Sequence, residues 1–403
     1  MGSHRIRILM VCNYLGLGGS EKTLQIFCKY LDRARFDVYA CGRLGGGIRV
    51  DELKKLDIPV FTGPLDLDEL VTRLQIDICH VHRSGHYERG SLPTKRKGWP
   101  RIVETNVFQD YDVVENAVID CHLFVSLFSR YRYLERFPWL AGARYETLYN
   151  PVDFEEIRHA KKEPGHVFGR CGRPDFQKWH EVYIEALPVI LEKVSDARCL
   201  LKGAPEEITS GIQDTIHDGR VTLLPPTLDV AGFYRELDVF AHAARVGETF
   251  GCVIAEAMAC GVPVVTLSTP QRKKANAQVE LVEHGVTGLV CERPGDFANA
   301  VVELLMDQEL RLRLGRASRD KALSEFEAGR LARQLETIYF ELMEQRPSNT
   351  EVLANSADLS LQKKNVWRRA TGFIPYAARF LLRHPTKLRQ LREQWRSFHF
   401  PNT

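Results

Sequence analysis

The chain has 403 residues, of which 44% are hydrophobic, so it is long enough to form two or three domains with apolar cores. Its formal net charge of +3 is small and by itself favours no nucleic-acid or other strongly charged partner. The sequence contains no run of roughly 18 or more apolar residues, so we expect no transmembrane helix.

The ten cysteines are scattered and include no C-x-x-C pair, so the sequence supports neither a zinc motif nor a redox motif. Most of them lie within apolar runs, which indicates buried, reduced thiols in a cytoplasmic protein. The apolar run at residues 6–12 has the length of a strand rather than that of a signal peptide, so we expect no leader sequence.

Strands and helices alternate along the first half of the chain. Strands are predicted at 6–12, 38–40, 78–82, 102–104 and 123–126, and helices at 21–31 and 68–74. Such alternation predicts a parallel sheet that is covered by helices on both faces. The sequence Asn-Pro-Val-Asp at 150–153 predicts a turn that closes this unit, which gives a first domain of residues 1–152.

A second alternation predicts another domain of the same α/β class at residues 153–326. Its strands are predicted at 167–172, 199–202, 221–224, 239–242, 262–267 and 288–291, and its helices at 181–194, 230–237, 252–260 and 296–307. Two such domains that face each other place ligands in the crevice at the carboxyl ends of their strands.

The C-terminal part contains a predicted helix at 327–344, within a segment 327–346, and then a linker and basic tail at 347–403. Residues 363–396 contain ten Lys and Arg residues and a single acid, Glu393, which gives this segment a net charge of +9. Aromatic residues alternate with these charged residues. Such helical stretches suit an anionic membrane surface, while the alternative is docking onto an acidic patch of the first domain. We expect no nucleic-acid partner, because the sequence has no motif that reads nucleic acid.

Two carboxylates flank the start of one predicted helix. Glu248 lies just ahead of this helix, and Glu256 lies about two turns further along, roughly 12 Å by helix rise. Thr249 is expected to cap the helix start, Gly261 to end the helix, and Pro263 to prevent its continuation. A helix N-terminus suits a phosphate, so the segment suits a ligand with a sugar, a diphosphate and a ribose. The alternative is a buried loop, helix and strand with two incidental glutamates.

This Glu-x7-Glu segment, with its flanking glycines and Ala-Met-Ala helix, resembles that of the GT-B retaining glycosyltransferases of the GT4 family. The resemblance covers residues 6–344 and implies a GT-B fold, in which two Rossmann-like, doubly wound parallel-sheet domains face each other across a cleft. It implies that Glu248 lies beside the hydroxyls of the transferred sugar and that Glu256 accepts both ribose hydroxyls. The distal phosphate would be held by three backbone N–H groups, those of Thr249, Phe250 and Gly251.

A glycine-rich loop at 13–21 follows the first predicted strand. Glycines ahead of a helix allow a ligand to approach the backbone closely. The spacing is not the G-x-G-x-x-G dinucleotide fingerprint, and a simple tight turn is the alternative. In the GT4 family this loop lies over the phosphates and the sugar of the donor, and Gly18, Gly19 and Glu21 match the usual pattern.

A second loop, at 171–179, follows the first strand of the second domain. Arg173 can fork onto two phosphate oxygens, and Lys178 adds a compact charge. The resemblance makes Arg173, Lys178 and Glu248 the expected catalytic residues, and the alternative for the two cations is a solvated surface position. Because the cations would neutralise the leaving diphosphate, we expect neither a metal ion nor a cofactor. The family usually has glycine after the lysine, where this chain has Trp179.

Two other motifs raise the alternative of a metal site. Asp66 and Asp68 match the D-x-D pattern of metal-dependent transferases, but acids at this place also favour a helix start. His80 and His82 share one face of a predicted strand, and His86 lies nearby, but a convincing third zinc ligand is missing. We therefore expect strand-end histidines in the cleft and no metal site.

Many GT4 relatives carry a histidine close to the transferred sugar, after the strand that ends here near Thr105. The expected position holds Val107, so Asn106 is a candidate polar contact in its place. His82 is a second candidate contact to the sugar or the acceptor. The loop at 276–280 is expected near the donor edge of the cleft.

The resemblance implies transfer of a sugar from a nucleoside-diphosphate sugar, with retention, to a glycan or lipid-linked acceptor. In the favoured front-face route the leaving phosphate oxygen takes the proton of the acceptor, so no protein base is needed. The enzyme would act in the cytoplasm, peripherally at the inner face of the membrane, in polysaccharide or lipopolysaccharide biosynthesis. The alternatives are another GT-B enzyme, such as a phosphorylase or nucleotide-sugar epimerase, and a non-catalytic nucleotide-sugar-binding module.

Overall fold

The computed structural model describes residues 5–137, 143–157, 165–271 and 274–345. Within these ranges the chain forms two parallel β-sheets, and apolar clusters lie on both faces of each sheet. The α/β class and the two parallel-sheet domains predicted from the sequence are therefore confirmed.

The first domain has a seven-stranded sheet within the described residues. Its strands are β1 (Ile6–Cys12), β2 (Phe36–Gly42), β3 (Val60–Thr62), β4 (Ile78–Arg83), β5 (Arg101–Asn106), β6 (Cys121–Phe124) and β7 (Arg144–Thr147). Its helices are α1 (Gly19–Tyr30), α2 (Arg49–Lys55), α3 (Leu67–Leu74), α4 (Val113–Asn116) and α5 (Leu127–Arg136). The strands lie in the order β3-β2-β1-β4-β5-β6-β7. The sequence analysis predicts neither the short edge strands β3 and β7 nor the helices α2, α4 and α5.

The second domain has a six-stranded sheet within the described residues. Its strands are β8 (Val167–Cys171), β9 (Arg198–Lys202), β10 (Val221–Leu224), β11 (Val239–His242), β12 (Val264–Leu267) and β13 (Gly288–Cys291). The helices are α6 (Val182–Lys193), α7 (Glu206–Thr209), α8 (Gln213–His217), α9 (Ala231–Glu236), α10 (Cys252–Ala259), α11 (Gln278–Leu281), α12 (Phe297–Met306) and α13 (Gln308–Phe326). The strands lie in the order β10-β9-β8-β11-β12-β13.

The strand order fixes where a ligand can bind. In the first sheet, strands up to β3 are added on one side of β1, and strands from β4 onward are added on its other side. In the second sheet the order of addition reverses in the same way between β8 and β11. In open parallel sheets the loops on the two sides of such a point diverge and leave a crevice beyond the carboxyl ends of the strands. The loops after β1 and β8, together with the segment between β11 and α10, therefore enclose the site.

Helix α10 lies in the core of the second domain, because all of its residues except Glu256 are apolar. Residues Ile254 to Ala259 are all buried, and α13 packs across the helix. The end of α10 is tightly packed, since a Cβ atom on Gly315 of α13 would lie 2.3 Å from the carbonyl oxygen of Gly261. The helix that carries Glu256 is therefore held rigidly against the sheet.

The sequence analysis predicts no helix at the position of α13. Its buried stripe includes small and polar residues and offers few large apolar side chains, namely Arg311, Leu314, Gly315, Ser318, Ala322 and Phe326. Asp307 caps the helix by accepting a hydrogen bond from the N–H of Leu310. A stripe of this composition gives a weak periodic signal, so tertiary packing rather than hydrophobic pattern specifies the helix.

The last described helix, α14 (Ala328–Glu344), returns to the first domain. Its buried face joins the apolar cluster around β1, through Leu331, Leu335, Ile338, Tyr339 and Leu342. Glu327 caps the helix start, and Val152 pairs with the backbone on both sides of this residue. The chain thus crosses between the domains at 152 and again at 327.

The linker and basic tail at 347–403, with their predicted membrane contact at 363–396, lie outside the described residues. Among the described helices, none combines the length and the apolar character that a bilayer crossing requires.

Candidate active site

A cleft of about 360 Å³ lies between the two domains, at the carboxyl ends of both sheets. Loops from both domains line it. The structure brings ten of the predicted site residues together on its walls: Gly18, Gly19, His82, Arg173, Lys178, Glu248, Thr249, Phe250, Gly251 and Glu256.

The start of helix α10 opens into this cleft. The expected cap by Thr249 is wrong, because the N-cap residue is Gly251, which has a φ of 104° and provides no side-chain cap. Gly is needed here, since that backbone conformation is strained for other residues. The carbonyl of Thr249 instead accepts hydrogen bonds of 2.6 and 3.0 Å from Ser126 and Ser129 of the first domain. No cap side chain therefore stands between the first amides of the helix and the cleft.

Glu248 is a buried carboxylate that pairs with a cation. Its Oε2 lies 2.8 Å from Nζ of Lys178, and its Oε1 lies 3.4 Å from Nε2 of His242. Burial alone would raise the pKa of Glu248, but the charge of Lys178 and the hydrogen bond from His242 outweigh burial and hold it well below its usual range. Glu248 is therefore ionised and acts as a hydrogen-bond acceptor.

His242 supports Glu248 from within the sheet. Burial lowers the pKa of this histidine from 6.5 to about 4, so the ring is neutral at physiological pH. Its Nδ1 lies 3.0 Å from the hydroxyl of Thr266. With Nε2 protonated, the ring donates to Glu248 and accepts from Thr266, which fixes the tautomer and the direction of the ring.

Trp179 stiffens the loop that carries the two expected catalytic cations. The indole is fully buried, and its Nε1 donates a 3.0 Å hydrogen bond to the carbonyl of Arg173. The buried guanidinium of Arg170 lies over the indole and donates to the carbonyl of Lys178 at 2.9 Å. Trp179, which stands where the family resemblance predicts glycine, therefore fixes the loop backbone in the conformation that places Lys178 beside Glu248.

Arg173 stands on the same wall but is half exposed. Its guanidinium lies 3.9 Å from Asp175, at the limit of an ion pair. An exposed pair of this length contributes little to stability, so Arg173 is free to reorient towards an anion in the cleft.

Glu256 contacts protein groups from both domains, one through each carboxylate oxygen. Its Oε1 lies 2.8 Å from Nζ of Lys22 on α1, and its Oε2 accepts a 2.8 Å hydrogen bond from the hydroxyl of Tyr234. Burial lowers the pKa of Lys22, but the charge of Glu256 and that of Glu156 more than compensate, so the pKa is raised. A ribose that binds Glu256 must therefore exchange with Lys22 or share the carboxylate with it.

The glycine-rich loop of the first domain approaches α10 closely. Gly18 is the N-cap of α1, and a Cβ atom there would lie 2.1 Å from the carboxylate of Glu21. A Cβ atom on Gly19 would lie 3.1 Å from Sγ of Cys252, on the opposite domain. Because these two residues have no side chains, the loop of the first domain can approach α10 of the second domain closely.

The remaining contact candidates take different positions. His82 lines the cleft, and burial lowers its pKa to about 3, so the ring is neutral. Within the described residues neither ring nitrogen of His82 has a hydrogen-bond partner. Asn106 is buried and holds a turn: it donates to the carbonyl of Asp110 at 2.9 Å and accepts from the N–H of Gln109 at 2.7 Å. Val107, rather than Asn106, lines the cleft.

The residues of the two metal motifs have other partners. Asp66 caps α3, and Asp68 accepts a hydrogen bond of 2.8 Å from the hydroxyl of Thr94. His80 places its ring nitrogens 2.6 Å from the hydroxyl of Tyr339 and 2.8 Å from that of Thr105. No group of three or more possible metal ligands occurs in the described ranges.

Glu280, in the loop whose role the sequence left open, joins the domains. Its carboxylate accepts from the N–H groups of Leu127 and Phe128, at 3.1 and 3.0 Å, and from the hydroxyl of Tyr149 at 2.7 Å. The first of these contacts lie at the N-terminus of α5, where a negative charge is favourable. Glu280 therefore holds the second domain against the first beside the Glu248 loop.

Sequence reasoning missed four cations that line the cleft, Lys22, Arg49, Arg170 and Lys202. The sequence alone offers a reason to consider two of them, since Lys22 adjoins the glycine-rich loop and Lys202 ends the predicted apolar strand at 199–202. It offers none for the pairing of Lys22 with Glu256, because this pair joins residues 234 positions apart.

Two facing parallel-sheet domains with a helix start that opens into the cleft between them define a GT-B protein. Residues 165–307, which form most of the second domain, match the family model described as "Glycosyl transferases group 1". The resemblance to GT4-like glycosyltransferases that the Glu248 segment predicts is thereby confirmed.

Curated relatives match about half of the chain. The chain is 31% identical to N-acetyl-alpha-D-glucosaminyl L-malate synthase of Bacillus anthracis over 220 residues, which cover 49% of this chain and 54% of that protein. It is 27% identical to Spore coat protein SA of Bacillus subtilis over 235 residues, which cover 51% of this chain and 60% of that protein. The chain thus spans between half and two thirds of the length of these relatives.

Solved structures match over most of the chain. The Anabaena protein HepE, crystallised with UDP and glucose, has a TM-score of 0.66 at 20% identity and covers 84% of this chain and 100% of its own. WaaG, a glycosyltransferase involved in lipopolysaccharide biosynthesis, has a TM-score of 0.63 at 12% identity and covers 82% of this chain and 99% of its own. At these identities the likeness establishes the fold, which is GT-B as predicted.

Proposed function

We propose that the protein is a glycosyltransferase that moves a sugar from a nucleoside-diphosphate sugar to a hydroxyl group of an acceptor, with retention at the anomeric carbon. The observation that carries this proposal is the Lys178–Glu248 pair, which lies beside the open start of α10 in the cleft between the domains. A cation, a carboxylate and free amides at one place match the three parts of such a donor, namely diphosphate, sugar hydroxyls and distal phosphate.

The diphosphate would lie between the start of α10 and the loop after β8. Lys178 and Arg173 supply positive charge from one side, and the amides behind Gly251 supply the dipole from the other. These groups stabilise the negative charge that grows on the leaving diphosphate, and a lost donor of this kind typically costs about 2.7–4 kcal/mol of transition-state stabilisation. This arrangement leaves a metal ion unnecessary.

The transferred sugar would lie over Glu248, under the glycine-rich loop. Because Glu248 is ionised, it can accept hydrogen bonds from two sugar hydroxyls. Gly18 and Gly19 line this part of the cleft with backbone alone, so a ligand can approach the loop closely. The neutral ring of His82 adds a hydrogen-bonding group on the wall of the first domain, where relatives place a histidine at the position of Val107.

The ribose would lie further along α10, at Glu256. Binding there replaces the ion pair with Lys22 by hydrogen bonds from the ribose hydroxyls, and Lys22 becomes available to the phosphates. Tyr234 keeps the carboxylate in place during this exchange, since it binds the other oxygen.

Among retaining routes, the state of Glu248 supports a front-face reaction over a double displacement. A carboxylate that is ion-paired and has a depressed pKa is a weak nucleophile and a weak base, which disfavours a covalent glycosyl intermediate. In the front-face reaction the bond from the anomeric carbon to the phosphate oxygen breaks, and its electrons stay with the diphosphate. The acceptor oxygen bonds to the same face of the carbon, and its proton passes to the leaving phosphate oxygen.

The acceptor would enter through a second cavity that shares Phe108, Lys178 and Thr249 with the donor cleft. This cavity of about 970 Å³ is large enough for a glycan or lipid-linked head group, and its lining includes Arg132 and Arg136 as well as Asp110 and Glu135. Together with the basic tail at 363–396, this favours an acceptor at an anionic membrane surface, such as an intermediate of polysaccharide or lipopolysaccharide synthesis, and a peripheral position on the cytoplasmic face.

A thermal-shift panel of nucleotide sugars, followed by an assay of nucleoside-diphosphate release, tests the proposal. A donor that binds the native protein raises its melting temperature. Release of diphosphate with formation of a glycoside supports transfer. Binding without turnover would instead indicate a sensor, and a sugar phosphate or an epimer would indicate a phosphorylase or an epimerase.

A further inference from the structure

Lys202 is a buried cation at the cleft that the proposed reaction leaves unused. It is the last residue of β9, and only 9% of its surface is exposed. Within the described residues its ammonium group forms neither an ion pair nor a hydrogen bond, although the residue lines the cleft. A buried charge without a partner raises the free energy of the folded protein. Because the aliphatic part of Lys202 is buried and its ammonium group reaches the cleft, we infer that a ligand supplies the missing partner.

The place of Lys202 in the sheet separates it from the diphosphate position. The diphosphate lies at α10, which follows β11, and β9 lies two strands away from β11 in the sheet order. With neighbouring strands about 4.8 Å apart, the end of β9 is roughly 10 Å from the end of β11. Lys202 is therefore placed for the part of a nucleotide beyond the phosphates.

The side chain of Lys202 emerges on the same side of the sheet as α10. Residues two apart on a strand share a face, and Leu200 of β9 packs in the cluster that contains Tyr234 and the apolar face of α10. Since Tyr234 binds Glu256, this is also the side of the expected ribose. Lys202 thus lies next to the ribose position, further from the phosphates.

The neighbouring wall suits an aromatic base. The loop after β10 contributes Pro226, Leu228 and Val230 to the cleft, together with the hydroxyl-bearing Thr227. Apolar side chains of this kind pack against the faces of a planar ring, while a few polar groups decide its orientation. Lys202 is the charged group of this subsite.

The backbone around Lys202 is held firmly. Gly203 has a φ of 73°, and a Cβ atom there would lie 2.2 Å from the carbonyl oxygen of Gly172 and 3.5 Å from Cβ of Pro226. The N–H of Gly172 also donates to the carbonyl of Lys202 at 3.0 Å. The ends of β8, β9 and β10 are thus pinned together, and the ammonium projects from a fixed point.

We propose that Lys202 selects the nucleobase of the donor by donating a hydrogen bond to the carbonyl oxygen O4 of uracil or O6 of guanine. An ammonium group has three donors and no acceptor, so it suits a keto group and cannot pair with the amino group that cytosine or adenine carries at the same place. This inference rests on the proposed nucleotide-sugar function and adds to it the class of base.

Isothermal titration of the full-length chain with UDP, CDP, GDP, ADP and inorganic pyrophosphate tests the inference. The wild type should bind UDP more tightly than CDP and GDP more tightly than ADP. Lys202→Met should weaken UDP and GDP by roughly 10-fold and change CDP, ADP and pyrophosphate by less than about 2-fold. Lys54→Met, at an exposed position of α2, is the matched control and should change none of them.

Two outcomes would overturn the assignment. An equal loss for UDP, CDP and pyrophosphate would make Lys202 a phosphate ligand, and an unchanged UDP affinity would give it no role in binding. If Lys202→Met does not fold, Lys202→Gln provides the second variant: its amide both donates and accepts, so the ratio of UDP to CDP affinity should fall towards one. A wild type that binds none of these nucleotides would contradict the proposed function itself, whereas one that prefers CDP or ADP would contradict only the base assignment.

Discussion

Replacement of Lys178 by methionine tests the central pair of the cleft. The change keeps the length of the side chain but removes the charge 2.8 Å from Glu248, whose side chain is 9% exposed. Removing one partner of a buried ion pair typically costs about 3–5 kcal/mol. Because Lys178 is 23% exposed and His242 stays near Glu248, we expect the low end, about 3 kcal/mol. This corresponds to a fall in melting temperature of about 6–12 °C.

If Lys178 stabilises the leaving diphosphate, Lys178→Met should lower turnover as well as the melting temperature. A lost charge donor of this kind lowers turnover by about 100- to 1,000-fold, and this is the expected effect on nucleoside-diphosphate release at saturating donor. Glu248→Ala should also lower turnover strongly with the fold intact. Lys193→Met, at an exposed position of α6, is the control and should leave turnover and melting temperature unchanged.

A double-mutant cycle separates the two roles of Lys178. In a Glu248→Gln background the carboxylate charge is absent, so Lys178→Met should no longer lower the melting temperature. Turnover should still fall by about 100-fold, because the diphosphate still needs the cation. If Lys178→Met has no effect on turnover in this background, the lysine acts only by holding Glu248 and the assignment to the phosphate is refuted.

Three further predictions concern other parts of the chain. Arg173→Ala should lower turnover by about 100-fold without a change in melting temperature, because the half-exposed side chain has only a distant ion pair; wild-type turnover would contradict its role. The folded pKa of His242 lies at about 4, below its ordinary 6.5, so the unfolded chain binds the extra proton first. Stability should therefore fall as the pH drops from about 6.5 to about 4, and His242→Asn should flatten this part of a melting curve series by about 3 kcal/mol. Deletion after Pro347 should preserve activity on a soluble acceptor but reduce binding to anionic liposomes; unchanged binding would exclude the membrane role of the tail.

Local sequence signals are sufficient for most of the strands and for the loops that carry the predicted site residues. Buried parallel strands such as β4 and β11 are short apolar runs between turns, and they lie where the sequence predicts them. The Glu-x7-Glu spacing around α10 and the two loop cations also reach the same cleft. These features depend on residues close together in the chain, which a periodicity or a motif records directly.

What the sequence could not reveal depends on packing between distant segments. The helix α13 is specified by its fit against α10, at a glycine that meets the turn after Gly261. The sequence predicts a cap at Thr249, since a threonine before a helix is a common cap, whereas the backbone turn at Gly251 sets the boundary. A polar residue at a strand end suggests a ligand contact at Asn106, yet the amide of Asn106 is engaged by the turn at Gln109 and Asp110.

The ion pair between Lys22 and Glu256 has a mechanical consequence, because its two side chains belong to different domains. A nucleotide that takes over Glu256 also breaks this link across the cleft, so its affinity and the freedom of the two domains to move apart are thermodynamically coupled. Reciprocally, a domain movement that separates Lys22 from Glu256 should raise the affinity for the nucleotide by the same factor by which the bound nucleotide favours that movement.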